Sequence, residues 1–142
     1  MIARGRLAAV GLAALALTGN ASASAPASPV GRWLTEGDKA IVEIAPCGAA
    51  LCGTLHQILK VDPGAPKTDI RNPNPRLRQR STSNLEILSG FVRDGSRWRG
   101  QIYDPRSGRT YKSFVEVRPD DKLALTGCVW MLCQTQDWRR MR

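Results

Sequence analysis

The chain has a single histidine, His56, and only 12 acidic residues against 21 basic ones. One histidine excludes a histidine-built metal site, and strand alternation turns it outward, as a solvated side chain rather than a catalytic base. The carboxylates are too sparse to form an evident acid/base pair: Asp62, Asp69, Glu86, Asp94 and Asp104 fall in or near loops at unrelated spacings. G-x-S-x-G, H-E-x-x-H, a P-loop and G-x-G-x-x-G are all missing, so the sequence specifies no enzyme class, no cofactor and no metal. Aromatic residues make up 6% of the chain, and they do not recur at strand spacing on an exposed face. The stacking platform that nucleic-acid binding requires is therefore not there. The longest apolar run, Leu7–Leu17, is too short to cross a bilayer.

That run does have a meaning. It follows Arg4 and Arg6 and leads into small residues, the three-part pattern of an export signal. Cleavage after Ala23 gives a signal peptide over residues 1–23, a flexible leader over 24–30 and one domain over 31–142, with no transmembrane segment left. The destination is the periplasm or the exterior. The mature chain then carries 19 basic and 12 acidic residues, a net charge of +7, which suits an acidic envelope partner but is scattered along the sequence.

Four cysteines occur as two copies of one spacing, "CGAALC" (Cys47, Cys52) and "CVWMLC" (Cys128, Cys133). A four-cysteine zinc site is the alternative on spacing; an oxidising compartment favours disulfides. Cys47 and Cys52 share the outward parity of their strands, and so do Cys128 and Cys133. Each pair is expected as directly opposed residues closing a short hairpin, Cys47–Cys52 and Cys128–Cys133.

No long segment has a helical period, whereas period-two alternation recurs. "GRWLTE", "KAIVEIA", "GTLHQIL", "LEILSGFV", "RWRGQIY", "YKSFVEV", "KLALTG" and "LCQTQDWRR" read as about eight short strands, with turn signals at "RDGS", "DPRSG" and "RPDD". The fold class is all-β, a small antiparallel up-and-down barrel, because closure removes exposed edges. Gln57, Ser113, Gln134 and Gln136 share parity with the apolar set and are expected inside, as polar groups among apolar walls.

The segment "DIRNPNPRLRQR" (69–80) is the leading candidate site. Pro73 and Pro75 stiffen it, and Asn72 and Asn74 bond locally in turns. One reading is a rigid connection in which Asp69 pairs with an arginine; the other gathers Arg71, Arg76, Arg78 and Arg80 around an anionic group at the barrel mouth. "IYDPRSGRTY" brings Tyr103, Asp104 and Tyr111, which serve as a hairpin turn or as further hydrogen-bonding groups. The candidate ligand residues are thus Asp69, Asn72, Arg76, Arg78, Arg80, Tyr103, Asp104 and Tyr111.

"GRW" (31–33), "APCGAALCGTL" (45–55), "DIRNPNPRLRQR", "LEILSGF" (85–91), "W-x-G-x-IYDP-x-x-G-x-x-Y" (98–111) and "QTQDWRR" (134–140), in that order, resemble an exported bacterial family known as domain of unknown function 2147. The resemblance covers the mature chain and brings no activity. It departs at "STSNLE" (81–86), where a glycine would be expected before Leu85. A looser resemblance is to the calycins, the lipocalin and avidin barrels, in which a G-x-W on the first strand lies under an arginine from the last. That resemblance implies Gly31, Trp33 and Arg140 in those parts, and a barrel holding a small apolar or amphipathic ligand, anionic in one form. The alternative is a structural or protein-interaction role in the envelope, without such a ligand.

Overall fold

A computed structural model describes Gly19 and residues 27–142. The expected signal peptide lies outside the described residues except for Gly19. Eight strands follow one another: β1 (Gly31–Leu34), β2 (Ala40–Cys47), β3 (Ala50–Ile58), β4 (Glu86–Asp94), β5 (Arg97–Asp104), β6 (Arg109–Arg118), β7 (Lys122–Val129) and β8 (Leu132–Arg140). Each pairs antiparallel with the next, and β1 pairs with β8 through Trp33–Arg140 and Leu34–Arg139, closing the barrel. The only helical pieces among the described residues are two single 3-10 turns, Glu36–Asp38 and Pro75–Leu77.

Alternation places the core as expected. Val42, Ile44, Leu51, Val115, Leu123 and Leu125 point inward and are buried, with Trp33 and Trp138 the largest side chains of the core. Leu88 and Phe91, of opposite parity on β4, are both buried because the strand shifts register between Ser89 and Val92. Because strands of a meander alternate direction, the turns β2–β3, β4–β5 and β6–β7 share one end with the termini. The connections β1–β2, β3–β4, β5–β6 and β7–β8 share the other. The first end is filled: the enclosed space beside Ile44, Leu88, Phe91 and Trp98 is about 10 Å³, room for one water at most. Toward the other end the inward side chains Gln134 and Gln136 are exposed, and Ile102 and Tyr111 only half-buried.

Three expectations need correction. Gln57 is not inside: β2 and β3 slip by one residue at His56, so Gln57 lies opposite Ile41 and is exposed. A bulge adds a residue without changing composition, which is why alternation alone misplaces the residues beyond it. Cys47 and Cys52 are bonded, but diagonally: the two-residue Gly48–Ala49 turn sets Cys47 against Ala50 and Cys52 against Ala45, with a Cα separation of 5.8 Å. Cys128 and Cys133 are bonded and directly opposed, 4.1 Å apart at Cα. The last residues of the expected flexible leader are held: Pro29 is fully buried, and its carbonyl accepts the Trp33 indole N–H at 2.7 Å.

Candidate functional site

The long β3–β4 connection, residues 59–85, folds over the end of β5. Its alternating Asn-Pro steps explain its shape. The Asn72 side-chain oxygen accepts the Asn74 backbone N–H at 2.8 Å, and the Asn74 oxygen accepts the Arg76 N–H at 3.1 Å. Each asparagine thus supplies the local turn bond, while Pro73 and Pro75 fix φ beside it, with Pro75 opening the 3-10 turn. Where a glycine would be expected before Leu85, Asn84 takes a left-handed φ of 61°, a conformation asparagine tolerates better than most residues.

At the centre of this segment is Asp69, with no exposed surface. Its Oδ1 accepts the Tyr103 hydroxyl at 2.5 Å; its Oδ2 accepts the Asn72 amide at 2.7 Å and the Arg80 Nε–H at 2.9 Å, with Arg80 Nη2 at 2.8 Å. The Asn72 amide also donates to the Tyr103 oxygen at 3.1 Å, and the Arg80 guanidinium stands 5.9 Å from the Tyr103 ring centre. A buried carboxylate is tolerated because both oxygens are occupied and a cation faces it. Burial pushes the Asp69 carboxyl up, but the bonds from Tyr103, Asn72 and Arg80, with the Arg80 charge, outweigh it and hold it below its ordinary 3.8. The Tyr103 hydroxyl is raised above its ordinary 10.0, by burial first and then by its bond to Asp69 and that carboxylate's charge.

Of the eight candidate residues, four therefore join in one network, Asp69, Asn72, Arg80 and Tyr103, whose polar atoms are directed at one another. Arg78 braces it from outside, its Nε–H donating to the Asn72 carbonyl at 2.8 Å. Asp104 and Tyr111 meet at the adjoining turn through Ser107, whose hydroxyl lies 3.0 Å from the Asp104 carboxylate and 3.2 Å from the Tyr111 oxygen. Arg76 is exposed and lies outside the network.

Sequence reasoning missed the clasp between the two segments. Arg71 Nη1 donates to the Arg106 carbonyl at 2.5 Å, and the Arg71 backbone lies so close to Gly108 that a Cβ there would overlap it. Gly108, with φ 70°, is thus fixed both by its turn and by this approach. A signal was present in Gly108 itself; its partner, 37 positions earlier, was not legible.

The closed end has its own arginine. Arg140 packs its guanidinium 4.2 Å from the Trp33 ring centre, and its Nη atoms donate to the Val30 and Ser28 carbonyls at 3.0 and 3.1 Å. Gly31, at φ 132°, leaves room for it, since a Cβ there would come within 2.9 Å of Arg140 Nη1. On the outer wall, an open groove of about 330 Å³ runs past Glu43, Thr54, His56 and Glu86. His56 Nδ1 lies 3.6 Å from the Glu43 carboxylate, and both are exposed. Among the described residues no group of three or more His, Cys, Asp or Glu is placed to hold a metal.

An eight-stranded meander barrel, floored by a G-x-W under an arginine of the last strand, is a lipocalin-like barrel. Its likeness to a solved structure agrees: protein HP1028 of Helicobacter pylori, described as belonging to the lipocalin family, superposes with a TM-score of 0.69 at 25% identity, over 80% of this chain and 82% of that one. The chain belongs to the family described as "Uncharacterized protein conserved in bacteria (DUF2147)", whose match runs over residues 31–140. No curated protein matches the sequence.

Proposed function

We propose that the protein is an exported binding module of the cell envelope that holds a small amphipathic, anionic ligand at the open end of its barrel. The observation that carries this reading is the lipocalin-like barrel; the division of its interior limits where a ligand can sit. Deep ligand pockets of this kind run to about 300–1,000 Å³, whereas the enclosed space here is about 10 Å³. The ligand is therefore held shallowly, its apolar part against Ile102 and Tyr111 and its polar part among Gln134, Gln136 and the arginine loop. Within that loop the Asp69 network positions and Arg76 and Arg78 contact, because Arg80 is engaged by Asp69. A guanidinium pair on a stiff loop suits a carboxylate or phosphate. The two disulfides and the N-terminal charge and apolar pattern support an oxidising, extracytoplasmic location.

The same packed interior favours a second reading, a structural or protein-interaction role on an acidic envelope partner with no small ligand. Native mass spectrometry of unreduced protein from the periplasm, wild type against Arg76→Ala/Arg78→Ala, separates them. A co-purified small molecule lost in the variant supports the ligand reading. An apo mass in both, with the variant losing a salt-sensitive protein partner, supports the second.

A further inference from the structure

At the tip of β7–β8, Val129 and Leu132 pair across a two-residue turn, Trp130–Met131. All four are apolar and turned to solvent: Val129 is 56% exposed, Trp130 96%, Met131 84% and Leu132 79%. Trp130 also adopts a φ of 55°, left-handed backbone that a bulky residue rarely enters. The Cys128–Cys133 disulfide sits directly beneath, clamping the two strands at the base of the tip. The fold gains almost no burial from Trp130 and Met131 and little from Val129 and Leu132.

The charge around them is one-sided. The four connections at this end, residues 35–39, 59–85, 105–108 and 130–131, hold eight basic and four acidic side chains, a net +4. The three connections at the opposite end, 48–49, 95–96 and 119–121, hold none and two, a net −2. Leu59, Val61 and Ile70, in the basic β3–β4 connection, are exposed as well. The register Lys112–Cys128 sets the tip level with Thr110 and Arg109 on the neighbouring strand, beside the Arg71–Arg106 clasp.

We propose that the Val129–Leu132 tip and the basic rim around it dock the barrel onto an anionic lipid bilayer. Tryptophan favours the membrane–water boundary, and flanking lysines and arginines meet anionic headgroups. A second copy set end to end would bring two +4 faces together, which argues against self-association through this face. The inference goes beyond the small-ligand reading and does not depend on it: Arg76 and Arg78 belong to the basic rim, but the apolar tip that the test alters, Trp130 and Met131, has no part in that reading.

The test is flotation of protein beginning at Ala27, which contains all eight strands, with phosphatidylglycerol or phosphatidylcholine vesicles, while Trp fluorescence is read. The expected result is binding to phosphatidylglycerol vesicles that weakens with salt, with a blue shift, and at least a tenfold fall in partition for Trp130→Ser/Met131→Ser at unchanged melting temperature. Trp130→Phe should retain most of the binding. Equal binding by wild type and the serine variant would overturn the proposal. So would failure of wild type to float with any vesicle, or a tip buried in a dimer or in an acidic protein complex instead. A ligand-free native mass would not alter the vesicle result, so the two readings fail separately.

Discussion

The two ends of this barrel are each fixed by an arginine, and the arginines act on different chemistry. At the closed end Arg140 lies over Trp33 and ties down the carbonyls of Ser28 and Val30; its carboxylate partner, Asp121 at 3.6 Å, is exposed, and beneath it is a packed apolar core. At the open end Arg80 faces a buried carboxylate, Asp69, in a network with Asn72 and Tyr103. Stability at the first end comes chiefly from burial of apolar side chains. At the second it depends on ionisation, and what it secures is a loop, not a core. The end that is architecturally complete has no space for a ligand, and the end that is open spends its polar groups on holding a loop still.

The largest effect is expected at the closed end. Trp33→Ala removes a fully buried indole and should cost about 3–5 kcal/mol, read as a lower urea midpoint. A loss under about 1 kcal/mol would mean the floor is not the core's anchor. Asp69→Ala should cost nearly as much, about 3 kcal/mol, because it strands the Tyr103 hydroxyl, the Asn72 amide and Arg80 together. Its signature differs, however: amide exchange should quicken across residues 67–82 while β7 and β8 stay protected.

Titration sharpens the contrast further. Asp69 has a folded pKa below 3.8, so its contribution is complete above that ordinary value and is lost as pH falls through the folded pKa. Tyr103 has a folded pKa above 10.0, so its contribution is complete below that value and is lost as pH rises through the folded one. The network should be constant between these limits, and Asp69→Asn/Tyr103→Phe should remove its share of the pH dependence while leaving that of Trp33→Ala like wild type. The smallest effect should be Arg76→Ala, within about 0.5 kcal/mol of wild type, since this exposed side chain lies outside the network.

Much of the closed end was legible in the sequence. Alternation marks its strands because one face of each is buried, and "GRW" with a late arginine suggests its floor. The open end was legible only in its parts. That Asp69 pairs with an arginine follows from their proximity in "DIRNPNPRLRQR", but the choice of Arg80 depends on how the chain turns through Asn74 and Pro75. Tyr103 lies 34 positions from Asp69, and on the outward parity of β5; only the loop packed over it buries its hydroxyl. The bulge at His56 and the diagonal Cys47–Cys52 bond escaped for a related reason: turn length and bulges shift register without leaving a compositional trace. "CVWMLC" was legible as a disulfide-closed hairpin through its cysteines alone; that the four apolar residues between them stand exposed at the rim leaves no trace in the spacing.

The most direct test of the division between the ends is a backbone NMR titration of protein beginning at Ala27 with an anionic amphiphile such as laurate. Shifts confined to Arg76–Arg80, Ile102–Tyr111 and Gln134–Gln136 are the predicted result. Shifts centred on Trp33, Phe91 and Val115, or none anywhere, would contradict a barrel that is packed at one end and binds at the other.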